Sequence, residues 1–132
     1  MTQSIHHSMQ APYDAIIAVL QDYFDGLYHS DTTRLRRVFH ANATYSCATE
    51  APLVHMDMPT YFAIVDKRPA PASRGEKRRD RIAAIQFAGA VTAFAHVECA
   101  IGPRFCTDFL TFIHVENRWQ VIAKVFHYDL IS

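Results

Sequence analysis

The sequence predicts an α+β domain in which helices come first and then pack on one face of a curved antiparallel sheet. Three observations carry this. Between Pro12 and His29 apolar residues recur every three or four positions, the spacing of one helix face. From Ile82 onward the pattern changes to runs rich in Phe, Val, Ile and Thr, punctuated by turn signals at Ala88-Gly89-Ala90, Gly102-Pro103 and Asn117-Arg118. Half of the 132 residues are hydrophobic, enough for one compact core, and no repeat or second domain is visible.

The first helix spans about Pro12 to His29, with Ile16, Ile17, Val19, Leu20, Tyr23, Phe24, Leu27 and Tyr28 on its apolar face. Pro12 suits a first helical turn, and Asp14 favours the positive end of the helix dipole. Asp31 caps a short second helix, Thr32 to Phe39, which turns Leu35, Val38 and Phe39 inward and leaves Arg34, Arg36 and Arg37 solvated. The two form a helical hairpin hinged at His29-Ser30. Ala43 to Thr49 alternates as a short strand does, and Pro59 opens a third helix to Lys67 that buries Tyr61, Phe62, Ile64 and Val65. Arg68 to Arg81 is expected to be a loop throughout; its six basic residues suggest either an anion site or a solvated segment, and interruption by Glu76 and Asp80 favours the latter. Strands follow at Arg81–Phe87 and Val91–Ile101.

Composition narrows the function. Thirteen basic and thirteen acidic side chains give a formal net charge of zero, and with it no electrostatic case for a nucleic-acid or membrane partner. Cys47, Cys99 and Cys106 are odd in number and lack metal-ligand spacing, so they are expected to be core thiols of a reduced, cytoplasmic protein. His96 and His114 form no metal-binding spacing either, and no metal is expected. Met1 to Gln10 is polar, is expected to fray, and does not look like a signal peptide; its His6-His7 pair is more easily inert than a metal site. No apolar run approaches the ~20 residues of a membrane helix.

The last thirty residues bear the most chemistry. With Asn117-Arg118 as a two-residue turn, Asp108 lies opposite His127, Leu110 opposite Val125 and Phe112 opposite Ala123. Phe109, Ile113, Ile122 and Phe126 then form an apolar outer face that needs cover, together with Thr111 and Lys124. An acid between Thr107 and Phe109 costs several kcal/mol to bury as a lone charge and must have a partner. His127 is the cross-strand candidate, at a Cβ separation of ~5 Å. An Asp holding one imidazole nitrogen leaves the other for general-base chemistry or for a ligand; alternatively the pair only fixes strand register. Glu98 faces either the pocket with Asp108 or Lys124 on the outer face, and the Lys124 pair is slightly preferred.

Tyr61-Phe62-Ala63-Ile64-Val65 followed by Arg68-Pro69, then Ile85-Gln86-Phe87-Ala88-Gly89, Thr107-Asp108-Phe109-Leu110-Thr111-Phe112, and Arg118-Trp119 with Lys124-Val125-Phe126-His127 resemble the nuclear transport factor 2-like superfamily. Within it they resemble the lumazine-binding branch, near the polyketide-cyclase-like members. The resemblance implies a cone-shaped fold with an internal pocket between helices and sheet, and usually a homodimer through the sheet. It does not fix an activity. On this basis Asp108 and His127 are the expected catalytic or anchoring pair. Tyr23, Phe24, Tyr28, Phe39, Tyr45, Phe62 and Phe112 are the expected ligand-binding walls, and Tyr61, His40 and His55 are further wall positions. The expected function is binding of a small apolar or cyclic ligand without cofactor. The alternatives are a cofactor-free isomerase, dehydratase or hydrolase on a small cyclic substrate, and a non-catalytic dimeric interaction module.

Overall fold

The computed structural model describes residues 2–131, with side chains described from Met9 onward. The elements run α1 (Thr2–His29), α2 (Thr32–Val38), β1 (Phe39–Cys47), β2 (Val54–Asp57), α3 (Met58–Lys67), a 3-10 turn at Pro71–Arg74, then β3 (Arg81–Phe87), β4 (Thr92–Ile101), β5 (Arg104–Val115) and β6 (Arg118–Leu130). Helices first and a meander after them give the expected α+β class, with a curved, unclosed sheet of six strands in the order β2-β1-β6-β5-β4-β3. One pair departs from the antiparallel expectation: β1 runs parallel to β6. Because β1 precedes the meander and pairs with its last strand, the sheet brings the two halves of the chain together.

On α1, Ile16, Leu20, Tyr23, Phe24 and Leu27 are buried, which is the stripe the periodicity predicts. The helix starts earlier than expected, and Pro12 lies inside it rather than in its first turn. The side chains of residues 1–8, including the His6-His7 pair, lie outside the described ones. Asp31 caps α2 by accepting from the Arg34 N–H at 3.1 Å, and Asp57 caps α3 by accepting from the Thr60 N–H at 3.0 Å. α1 and α2 approach closely at Gly26. A Cβ built there would meet Leu35 Cδ2 at 2.6 Å, so glycine permits the helical hairpin.

Three further elements differ from expectation. The second helix gives way to β1 at Phe39, four residues before the expected strand start, and β2 occupies a stretch with no clear sequence signal. The basic loop contains the 3-10 turn, and Arg78 within it pairs with Asp25 at 2.8 Å and Asp80 at 2.7 Å while stacking over Tyr28. The final hairpin turns at Glu116 and Asn117, both with positive φ (51° and 65°), not at Asn117-Arg118.

That turn sits one residue early, which alone moves every cross-strand partner by two and keeps faces unchanged. A bulge then leaves Ile122 unpaired, between the pairs Phe112 with Val121 and Thr111 with Ala123. The net slip is one residue. Asp108 therefore pairs with Phe126, and His127 with Thr107. Beyond the bulge, Lys124, Phe126 and Tyr128 face the helices while Val125 and His127 face away.

Candidate functional site

Asp108 is fully buried on β5, as an acid in an apolar strand that must find partners. His127 is not among them. It is exposed on the other face of the sheet, where its Nδ1 lies 3.0 Å from Thr49 Oγ1 and its Nε2 3.0 Å from Asp129. The bulge at Ile122 is the physical reason, since it rotates the outer half of β6 by one position. Glu98 also differs from both of its expected placements, pairing with Arg81 of the neighbouring strand at 2.9 Å.

The partners Asp108 does find come from α1 and β6. Tyr23 donates its hydroxyl to Asp108 Oδ2 at 2.5 Å, and the Lys124 ammonium stands 3.8 Å from the same oxygen. Cys99, diagonal to it on β4, donates its thiol at 3.8 Å. Asp108 Oδ1 is buried and has no hydrogen-bond partner among the described residues. Lys124 is only 4 % exposed. Its Nζ lies 4.8 Å from the ring centre of Phe126, 5.1 Å from Tyr23, 5.2 Å from Tyr45 and 5.8 Å from Tyr61, a cage of aromatic faces that favours a cation. Tyr45 and Tyr61 stack at 4.4 Å, and the Tyr61 hydroxyl is buried without a partner among the described residues.

The electrostatics assign protons. Burial alone would depress the Lys124 ammonium, but Asp108 and the neighbouring tyrosines outweigh it and raise the group well above its ordinary range, so it stays charged. Burial, reinforced by Asp108, holds the Tyr23 phenol well above its usual value, and it remains a donor. Burial pushes Tyr45 up to about 12. The Cys99 thiol is raised by its hydrogen bond with Cys106 and by burial, so it is a core thiol rather than a nucleophile. Cys99 and Cys106 are opposed across the β4–β5 ladder, and both are free.

A cavity of about 230 Å³ reaches this charged network at Lys124. Tyr61, Cys106, Lys124 and Phe126 form its buried wall, half-buried Tyr45 and Arg68 line it further out, and Arg74 and Arg104 are exposed at its mouth. Of the expected ligand-binding residues, Tyr45 lines this cavity. Tyr23, Phe24 and Phe112 are packed in the core, and Tyr28 donates to the Glu76 carbonyl at 2.6 Å. Phe39 and Phe62 line a separate, more open depression with His40, Arg118 and Gln120. Lys124 is the functional candidate that the sequence places on the wrong face; an ammonium between Ala123 and Val125 in an apolar strand is the same signal that singles out Asp108. Among the described residues no group of His, Cys, Asp and Glu converges to hold a metal.

The three helices laid into a curved, six-stranded, unclosed sheet define a nuclear transport factor 2-like domain. Solved structures share this fold: an NTF2-like protein of unknown function from Shewanella baltica OS155 matches with a TM-score of 0.80 and 27 % identity over 90 % of this chain and 94 % of that one. A second, from Silicibacter pomeroyi DSS-3, matches with a TM-score of 0.77 and 24 % identity over 98 % and 100 %. More specifically, the chain belongs to the family described as "Putative lumazine-binding", whose profile matches residues 11–127. A curated relative, "Aldolase FrzH" from a Cladobotryum species, is 24 % identical over 123 residues, covering 92 % of this chain and 94 % of that protein. No helix among the described residues is long and apolar enough to cross a membrane.

Proposed function

We propose that the chain binds a small cyclic molecule in the cavity that ends at Lys124, with Lys124, Asp108 and Tyr23 as one polar anchor. The observation that carries this is a charged ammonium, 4 % exposed, on the wall of a cavity. A buried ion pair is weak evidence for stability, so its placement beside a cavity supports a working role. The volume is about that of eight waters at ~30 Å³ each, below the usual range for drug-sized ligands, which supports a compact ligand. The test is a nuclear magnetic resonance titration with small cyclic compounds. Binding should move the ring signals of Tyr45, Tyr61 and Phe126 and be lost in Lys124→Met. Shifts confined to the Phe39 and Phe62 depression would overturn the proposal.

A second reading, a cofactor-free enzyme, is favoured by the aldolase-named relative and by the same three groups. A carbonyl oxygen beside Lys124 Nζ would have enolate charge stabilised there, while Asp108, fully buried and outside the cavity lining, would hold that ammonium in place. Solvent deuterium exchange at the carbon next to a ketone, lost in Lys124→Met, would support it; exchange unchanged in that variant would remove Lys124 as the enolate-stabilising group. We further propose a homodimer through the outer sheet face. Phe94, His96, Phe109 and Val125 form a strip across β4, β5 and β6, with Phe109 48 % and Val125 52 % exposed. Phe126, expected on that face, lies inside. A monomeric mass in light scattering would refute the dimer.

A further inference from the structure

The basic stretch from Arg68 onward, expected to be solvated, contains one half-buried cation with a buried guanidinium edge. Arg68 ends α3: its backbone N–H donates to the Val65 carbonyl, and Pro69 follows, so the side chain leaves from a fixed point. It lines the Lys124 cavity. Its Nε and Nη2 are buried and have no hydrogen-bond partner, and it makes no ion pair among the described residues. The other cations around the cavity are engaged. Arg74 pairs with Glu76 at 2.7 Å, Arg104 stacks 4.1 Å over Tyr128, and Lys124 faces Asp108. No Asp or Glu lines the cavity wall.

Nε–H and Nη2–H are the two parallel donors of one guanidinium edge, the geometry that takes the two oxygens of a carboxylate side by side. Leaving both buried and unpaired is costly, more so in a wall that already carries an excess of positive charge. We propose that the ligand is a carboxylic acid, held by the Arg68 edge through its carboxylate and reaching Lys124 with its other end. Tyr45 and Tyr61, stacked on each other, line the cavity between these two ends, and the Tyr61 hydroxyl is buried without a partner among the described residues. This rests on the cavity being the binding site and adds the chemical class of what enters it. Because the edge is closed over, binding includes a shift of the Arg68 side chain toward the acid.

The experiment compares matched pairs, benzoate with benzamide, phenylacetate with phenylacetamide and cinnamate with cinnamamide, by nuclear magnetic resonance titration. In the wild-type protein at least one acid should bind tenfold or more tightly than its amide and move the Arg68 Nε–H signal downfield, a shift the amide does not produce. In Arg68→Gln the acid-to-amide ratio should fall to near one with amide affinity retained, and Arg68→Lys should keep part of the preference. If Arg68→Gln does not fold, the wild-type ratio, the Nε–H shift and Arg68→Lys still decide. Amides that bind as tightly as their acids, or a preference unchanged in Arg68→Gln, would overturn the carboxylate assignment and leave the cavity as a site for neutral ligands. Failure of every acid and every amide to perturb Tyr45 and Tyr61 would remove the cavity reading along with it.

Discussion

Replacing Lys124 with methionine removes the ammonium that faces Asp108 while keeping most of the apolar stem that packs among Tyr23, Tyr45 and Phe126. The two charges stand 3.8 Å apart with side chains 5 % and 0 % exposed. At an effective dielectric constant of about 20, their attraction is ~4 kcal/mol. Breaking a buried pair by removing one partner costs a similar ~3–5 kcal/mol, because the remaining charge is left uncompensated. Asp108 would keep only the Tyr23 hydroxyl at 2.5 Å and the weak Cys99 thiol. Lys124→Met should therefore lose roughly 3 kcal/mol or more in urea denaturation at pH 7. The double variant Lys124→Met/Asp108→Leu should recover most of that loss, since both charges are gone and the volume is nearly kept. A single variant as stable as the wild type, or a double variant as unstable as the single, would refute the account of the charged network.

Gly26→Ala places a Cβ 2.6 Å from Leu35 Cδ2 and should cost about 1–3 kcal/mol by thermal unfolding, with no loss of ligand binding. His127→Gln, exposed on the opposite face of the sheet from the cavity, should change stability by less than about 0.5 kcal/mol and leave binding unaltered, against the expectation from the sequence. At alkaline pH the tyrosines of the site set the sign. Tyr45 is raised to about 12 from its ordinary 10, so the unfolded chain gives up that proton first; the contribution is present below pH 10 and is lost as pH rises through about 12. Denaturation between pH 9 and 11.5 should show a decline that is smaller in Tyr45→Phe, with an upper limit of about 2–3 kcal/mol at two pK units. Phe109→Glu should give a monomer in light scattering if the outer face is a subunit contact.

The fold was legible because its signals are local. The stripe of Ile16, Leu20, Tyr23 and Leu27, the cap at Asp31, and the strand-turn rhythm after Ile82 each depend on neighbours in sequence, and each appears as read. The buried acid was legible for the same reason, since Asp108 stands in an apolar strand. Its partner was not, because strand register depends on the turn and on a bulge. The positive-φ turn at Glu116-Asn117 is displaced by one residue from Asn117-Arg118, a small error that preserves faces. The unpaired Ile122 has no signal in a run of Val, Ile and Ala, yet it exchanges the two faces of β6 and so replaces His127 by Lys124. The parallel pairing of β1 with β6 is equally nonlocal, as is the burial of the Arg68 guanidinium edge at the end of α3.

The most direct measurement is a crystal structure of the protein soaked with the tightest-binding acid of the matched pairs. Density is expected in the cavity between Arg68 and Lys124, with the carboxylate on the Nε/Nη2 edge of Arg68 and the ring against Tyr45 and Tyr61. Density in the depression beside Phe39 and Phe62, with that cavity collapsed around Lys124, would contradict it.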